Sequence, residues 1–253
     1  MTIEAGAAWI TAVLLCALRL APVWLLTPLM GAFSMPARVK VALLLALSAT
    51  LTASLPLAPR GAIPQLGQLV LACAAELATG ALFAFGILTA FAAVSLAGKL
   101  LDIQLGFSLG NVYDPVTRSQ APLLGSILGL LAMVMFFTTD AHHAVLRGLA
   151  YSLEKLPLGA MPAGVTPQLV MRQFGTIFTL GLGLAAPLVF LLFLLEVGLA
   201  VLSRNLPQMN IFVISVPVKI GLGLFVFSYI ARQYEPVFGR IFGAIFTFWE
   251  AML

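Results

Sequence analysis

The chain has 253 residues, of which 62% are hydrophobic and 9% charged, and its mean hydropathy is +1.11. A soluble domain carries about 25% charged residues, so this composition excludes a water-covered globule and points to an integral membrane protein. The net charge of +4 comes from 13 basic and 9 acidic residues scattered singly along the chain, which excludes the clustered basic face of a nucleic-acid binder.

A bilayer-spanning helix needs about 20 mainly apolar residues. In chain order the expected spans are Ala5–Leu29, Val39–Leu57, Leu66–Ala97, Leu123–Thr139, Leu169–Leu195 and Ile211–Ile230. The first has Glu4 and no base ahead of its apolar run, unlike a secretory signal, and reads as a retained helix. Breaks fall at Ser34–Arg38, where Pro36 cannot continue a helix, at the proline-rich Pro56–Pro64, at Leu156–Pro167 and at Asn205–Asn210. The last stretch, Arg232–Leu253, alternates aromatics with Arg232, Glu235, Arg240 and Glu250 and reads as an amphipathic helix rather than a span.

Arg19, Glu76, Glu196 and Lys219 lie inside or at the edge of these spans. A charge at a helix centre costs about 2.5–3.5 kcal/mol on insertion scales, so each is expected to face a partner or a wet cavity. If all six candidates span, Arg38, Lys40, Lys99, Arg118 and Arg204 fall on one side, and Arg60, Arg147, Lys155 and Arg172 on the other. The positive-inside rule then has no clear winner, which points to helices packed in a larger assembly.

Several motifs bear on chemistry. In "DAHH" (Asp140–His143), Asp140 and His143 are within reach at i,i+3, but adjacent histidines on a helix point about 100° apart. With no third ligand nearby and no H-E-x-x-H pattern, no metal is expected; Asp140 reads instead as the N-cap of a helix over Ala141–Leu156. Lys99 and Asp102 sit at i,i+3 and can pair on a helix. Glu76 and Glu196 suit either a proton relay or ties to bases on neighbouring chains. Cys16 and Cys73 lie in apolar runs and read as small buried hydrophobes. The chain contains no G-x-S-x-G elbow, P-loop or dinucleotide fingerprint, so neither enzyme activity nor a cofactor is expected.

The most informative stretch is Gly106–Pro122, "GFSLGNVYDPVTRSQAP", a polar segment broken by glycine and proline between two very apolar regions. Non-helical backbone at membrane depth is tolerated only inside protein or along a water-filled path. The segment is therefore either a constriction of such a path or an ordinary interfacial loop.

Four motifs in order carry a resemblance. "RLAPVWLLTPLMGAFSMPARVKVALLLAL", "DIQLGFSLGNVYDP", "LLAMVMFFTTDAHHAVLRGLAYSLEKLPLG" and "LSRNLPQMNIFVISVPVKIGLGL" together resemble the FliR family of the flagellar type III export apparatus, with the virulence-secretion SctT family as a close relative. The resemblance implies an all-α integral membrane protein of about six long helices in hairpins plus a C-terminal amphipathic helix. It also implies a FliP-like part (1–167) followed by a FliQ-like part (168–253). The implied partners are FliP and FliQ homologues in a hetero-oligomer, an FlhB homologue, unfolded export substrates and the lipid membrane, with no nucleic acid. The implied location is the bacterial inner membrane, in the flagellar basal body. The family's plug loop aligns with Gly106, Phe107, Leu109, Gly110, Val112, Tyr113, Asp114 and Pro115, with Phe107 and Tyr113 as its aromatic residues. Glu76, Lys99, Asp102, Glu196 and Arg204 are the expected intersubunit or helix-pairing charges. A virulence type III export-gate subunit and a small-solute membrane transporter stand as alternatives.

Overall fold

The computed structural model describes residues 2–31, 35–55, 66–107, 123–205 and 211–253. All regular structure among them is helical: α1 (Thr2–Leu26), α2 (Pro28–Gly31), α3 (Ala37–Ser54), α4 (Leu66–Leu105), α5 (Leu123–Thr138), α6 (Ala141–Lys155), α7 (Pro167–Asn205), α8 (Ile211–Ala231) and α9 (Glu235–Met252). Five of these helices are long and apolar enough to cross a membrane, and α5 with α6 adds a sixth if the two form one broken span. The integral membrane class expected from composition, and the all-α fold that the resemblance implied, are thus observed.

Two helices outrun their expected lengths. At 1.5 Å per residue, the 40 residues of α4 and the 39 of α7 each extend about 60 Å, twice the roughly 30 Å hydrocarbon core. Helix α4 continues through Lys99 and Asp102 to Gly106, whose φ of 81° is the left-handed conformation that glycine adopts freely at a helix C-terminus. Helix α7 continues through Glu196 to Asn205, even with Pro187 inside it.

The chain forms two compact units, each built from separated pieces of sequence. The first comprises Met1–Thr89, Asp140–Gln173 and Gly243–Leu253. Within it, α1 buries Ala12, Leu15, Cys16, Arg19, Leu20 and Val23, one face at helical spacing. Helix α3 turns Leu44, Ser48 and Thr52 inward, and the Ser48 and Thr52 hydroxyls donate to the carbonyls of Leu44 and Ser48, four residues back. Cys16 is buried and Cys73 half-buried, both as free thiols. Trp249 of α9 donates its indole N–H to the Phe83 carbonyl of α4 at 3.2 Å. A Cβ on Gly86 would lie 2.9 Å from that indole nitrogen, and one on Gly148 would lie 2.8 Å from the ring. Two glycines thus make the slot that the tryptophan fills.

Arg19 and Glu76, both fully buried, join this unit's helices. The guanidinium grips the carboxylate bidentately, Nε to Oε2 at 2.5 Å and Nη2 to Oε1 at 2.9 Å. Its remaining donors reach the carbonyls of Ser152, Leu156 and Pro157 at 2.9, 3.2 and 3.5 Å, at the end of α6, where the helix dipole favours a cation. Glu76 Oε1 also accepts the Gly159 N–H at 2.6 Å. All five guanidinium N–H groups therefore have acceptors. Beside the pair, a Cβ on Gly80 would lie 2.2 Å from the Arg19 carbonyl oxygen, so only glycine lets α1 and α4 approach this closely.

The second unit comprises Ala90–Thr139 and Phe174–Phe242. A file of aromatic rings binds it: Phe227 to Tyr234 at 6.2 Å, Tyr234 to Phe238 at 6.2 Å, Phe238 to Phe242 at 5.9 Å, Phe242 to Phe136 at 5.2 Å and Phe136 to Phe91 at 6.0 Å. Edge-on and offset contacts of this kind add about 0.5–1.5 kcal/mol each beyond burial. Burial pushes the Tyr234 phenol up to about 12, so it stays neutral within this file at physiological pH.

Replacing Arg19 with Leu leaves Glu76 as an uncompensated buried charge and is expected to cost about 3–5 kcal/mol. The Arg19→Leu/Glu76→Leu double variant is expected to lose less than the single one. Thermal unfolding of the detergent-purified protein measures both; an Arg19→Leu midpoint equal to wild type contradicts the tie.

Candidate functional site

The segment singled out by the sequence begins where α4 ends and stops where α5 starts, and both flanks are described. Gly106 and Phe107 mark its first residues. Leu109, Gly110, Val112, Tyr113, Asp114 and Pro115 lie outside the described residues.

On the α4 side, Ala93, Ala97, Leu101 and Leu105 form a fully buried stripe at four-residue spacing. On the α5 side, Leu124, Leu128, Ala132 and Phe136 form another. The two helices touch through glycine: a Cβ built on Gly98 would fall 2.3 Å from the Gly125 Cα. Small residues at such a crossing let helix backbones approach in lipid, where hydrophobic driving force is lacking. Helix α7 closes on the same length of α4 at Gly181, whose Cβ would lie 2.7 Å from the Ala93 carbonyl oxygen, and α8 closes at Gly223 against the Leu105 side chain.

Asp102, one helical turn beyond Gly98, locks this contact. Its Oδ1 accepts the Leu124 N–H at 2.9 Å and its Oδ2 the Gly125 N–H at 3.0 Å. The first N–H groups of a helix have no internal partners and lie at the positive end of its dipole. A buried carboxylate borrowed from α4 therefore caps α5. The i,i+3 spacing allowed a Lys99–Asp102 pair. Instead, Asp102 is committed to α5, and Lys99 is exposed, with no ion pair between them among the described residues.

Arg19 pairs with Glu76, and Lys219 of α8 with Glu196 of α7. The second pair is partly open, with the Glu196 side chain 41% exposed. Arg204 is exposed in the last turn of α7, where a base complements the helix dipole. Asp140 stands at the N-cap position of α6 but makes no side-chain capping bond, because its φ of 57° takes it out of the extended conformation that capping uses. Its carboxylate turns to His143 Nδ1 at 3.3 Å.

Local spacing could not have found Gly98, Gly125, Gly181 and Gly223 as contact points, nor the partners of Arg19 and Lys219, which lie 57 and 23 residues away. The only available signal was the excess of glycine and charge inside apolar runs. What the arrangement does chemically is hold the end of α4 to the start of α5: a carboxylate meets the first N–H groups of a helix and backbones meet at glycine.

Replacing Asp102 with Ala strips the buried Leu124 N–H and the part-buried Gly125 N–H of their acceptor and is expected to cost about 2–6 kcal/mol at about 1–3 kcal/mol for each unsatisfied group. It should also make the 106–122 segment cleave faster under limited proteolysis. Cleavage at the wild-type rate contradicts the anchor.

The family model for "Bacterial export proteins, family 1" matches residues 10–245. The chain is 29% identical to the flagellar biosynthetic protein FliR of Escherichia coli (strain K12) over 249 residues, 98% of this chain and 94% of that one. It is 35% identical to FliR of Bacillus subtilis (strain 168) over 135 residues, 52% of each chain. It is also 32% identical to the Yop proteins translocation protein T of Yersinia pestis over 154 residues, 60% of this chain and 59% of that one. These relatives are named for flagellar biosynthesis and protein translocation rather than for an enzymatic reaction. With the family model covering nearly its whole length, the chain belongs to family 1 of the bacterial export proteins.

Proposed function

We propose that the chain is a core subunit of the flagellar type III protein export gate, forming with FliP and FliQ homologues a channel for unfolded flagellar subunits. The segment Gly106–Pro115 closes it. The observation that carries this reading is the anchoring of the segment's two flanks. Asp102 on the first turn of α5 and the Gly98–Gly125 contact hold the ends fixed, while Gly106 and Gly110 leave the interior deformable. A tethered apolar constriction closes a pore by excluding water and ions until a substrate displaces it. Phe107, Leu109, Val112 and Tyr113 supply its apolar surface. The chain performs no bond chemistry in this scheme and is not an enzyme.

The uncovered apolar faces support assembly with partners. Only 11% of the α8 span and 17% of the α3 span is buried within the chain, against 56% of α4. We assign these faces to FliP and FliQ homologues, to an FlhB homologue and to lipid, and we place the assembly in the bacterial inner membrane at the flagellar basal body. Helices about 60 Å long suit a body rising beyond the bilayer, organised as a FliP-like part to residue 167 and a FliQ-like part from 168. Arg204 and the open side of Glu196 are the charges assigned to neighbouring subunits. The likeness to the Yersinia translocation protein supports a second reading, the same gate in a virulence secretion system.

Shortening Gly110–Asp114 in the assembled complex is expected to raise ion leakage across the membrane with assembly retained. Unchanged conductance in a correctly assembled mutant contradicts the gate assignment.

A further inference from the structure

The sequence argued against metal at "DAHH" because neighbouring helical positions diverge by about 100°. The side chains do not follow that divergence. The His142 and His143 rings lie with centroids 4.1 Å apart, tilted by 37°. Asp140 and His143 occupy the N-cap and third helical positions, neighbours at i,i+3. Here the third-position residue is a histidine, and the N-cap carboxylate faces its Nδ1 at 3.3 Å. Asp140, His142 and His143 thereby bring one ligand atom each to within 4.8 Å of one another.

We propose that these three residues bind a divalent transition-metal ion of the borderline class, such as Zn2+, Co2+ or Ni2+, with water completing the coordination. Two imidazoles and one carboxylate are the donor set that such ions take with an open position. Tetrahedral ligands about 2.1 Å from the ion stand about 3.4 Å apart. The donors therefore have to close by roughly an ångström. Asp140 and His143 are 75% and 60% exposed and are free to rotate that far.

Electrostatics assigns the carboxylate a second role. The start of α6 carries the partial positive charge of the helix dipole, which opposes a cation. Asp140 offsets that charge as well as supplying an oxygen. All three ligands come from residues 140–143, so a bound ion stiffens the first turn of α6. The site shares no residue with the proposed gate and needs no part of that reading.

The test uses the full chain, purified in detergent with the subunits that accompany it and carrying no histidine tag, titrated with Co2+. The expected result is one ion per chain with the visible bands of low-coordinate Co2+, competed away by Zn2+. His142→Ala and His143→Ala should each weaken binding by at least about tenfold, the loss expected for disturbing a ligand shell, and Asp140→Asn should do the same. An unchanged unfolding midpoint in the metal-free variants separates loss of ligands from loss of fold. Binding that survives either histidine replacement, or a wild-type stoichiometry no higher than that of the triple variant, overturns the site.

Discussion

The fold depends on what a low-dielectric environment demands of an arginine. Arg19 lies in the apolar α1 with no exposed surface, and its charge is tolerable only because every N–H has an acceptor. Meeting that demand takes a carboxylate from α4 and three carbonyls from the end of α6 and just beyond it. Removing the solvation of one ion thus dictates the relative placement of three helices in the first unit. A buried ion pair of this kind is weak evidence of net stabilisation. Its effect is positional, since the alternatives leave a charge uncompensated.

Asp102 applies the same rule with one partner changed. The cation is replaced by the partial positive charge and unpaired N–H groups at the start of α5. Where Arg19 ties helix sides, Asp102 ties the end of α4 to the start of α5. This is the link between electrostatics and the proposed function, because a closing segment has to move in its middle and hold at its ends. Glycine provides the matching steric condition. At Gly98, Gly181 and Gly223 no side chain fits without displacement, and the second unit closes around α4 at those points.

Sequence legibility followed the range of the forces involved. Hydropathy is summed over a window and located every long helix. The boundary between α5 and α6 was readable to within a residue, because Thr139 and Asp140 interrupt an apolar run. The ends of α4 and α7 were not. Lys99, Asp102 and Glu196 looked like the edges of spans, yet charged residues are good helix formers or are tolerated when satisfied, and the helices ran on to Gly106 and Asn205. The i,i+3 rule sees neighbours on one helix, so it offered Lys99 to Asp102. The true partners are N–H groups 22 and 23 residues away. Similarly, the 100° rule for adjacent residues described where Cα–Cβ bonds point at His142 and His143 and missed the convergence of two long side chains.

The most direct test of the central claim is secretion. Delete the gene in its own bacterium and assay hook and filament subunits in the medium, with and without a plasmid copy. Loss of both, restored by the plasmid, is the predicted result for an export-gate subunit of the flagellum. Normal secretion of both subunits in the deletion strain contradicts it.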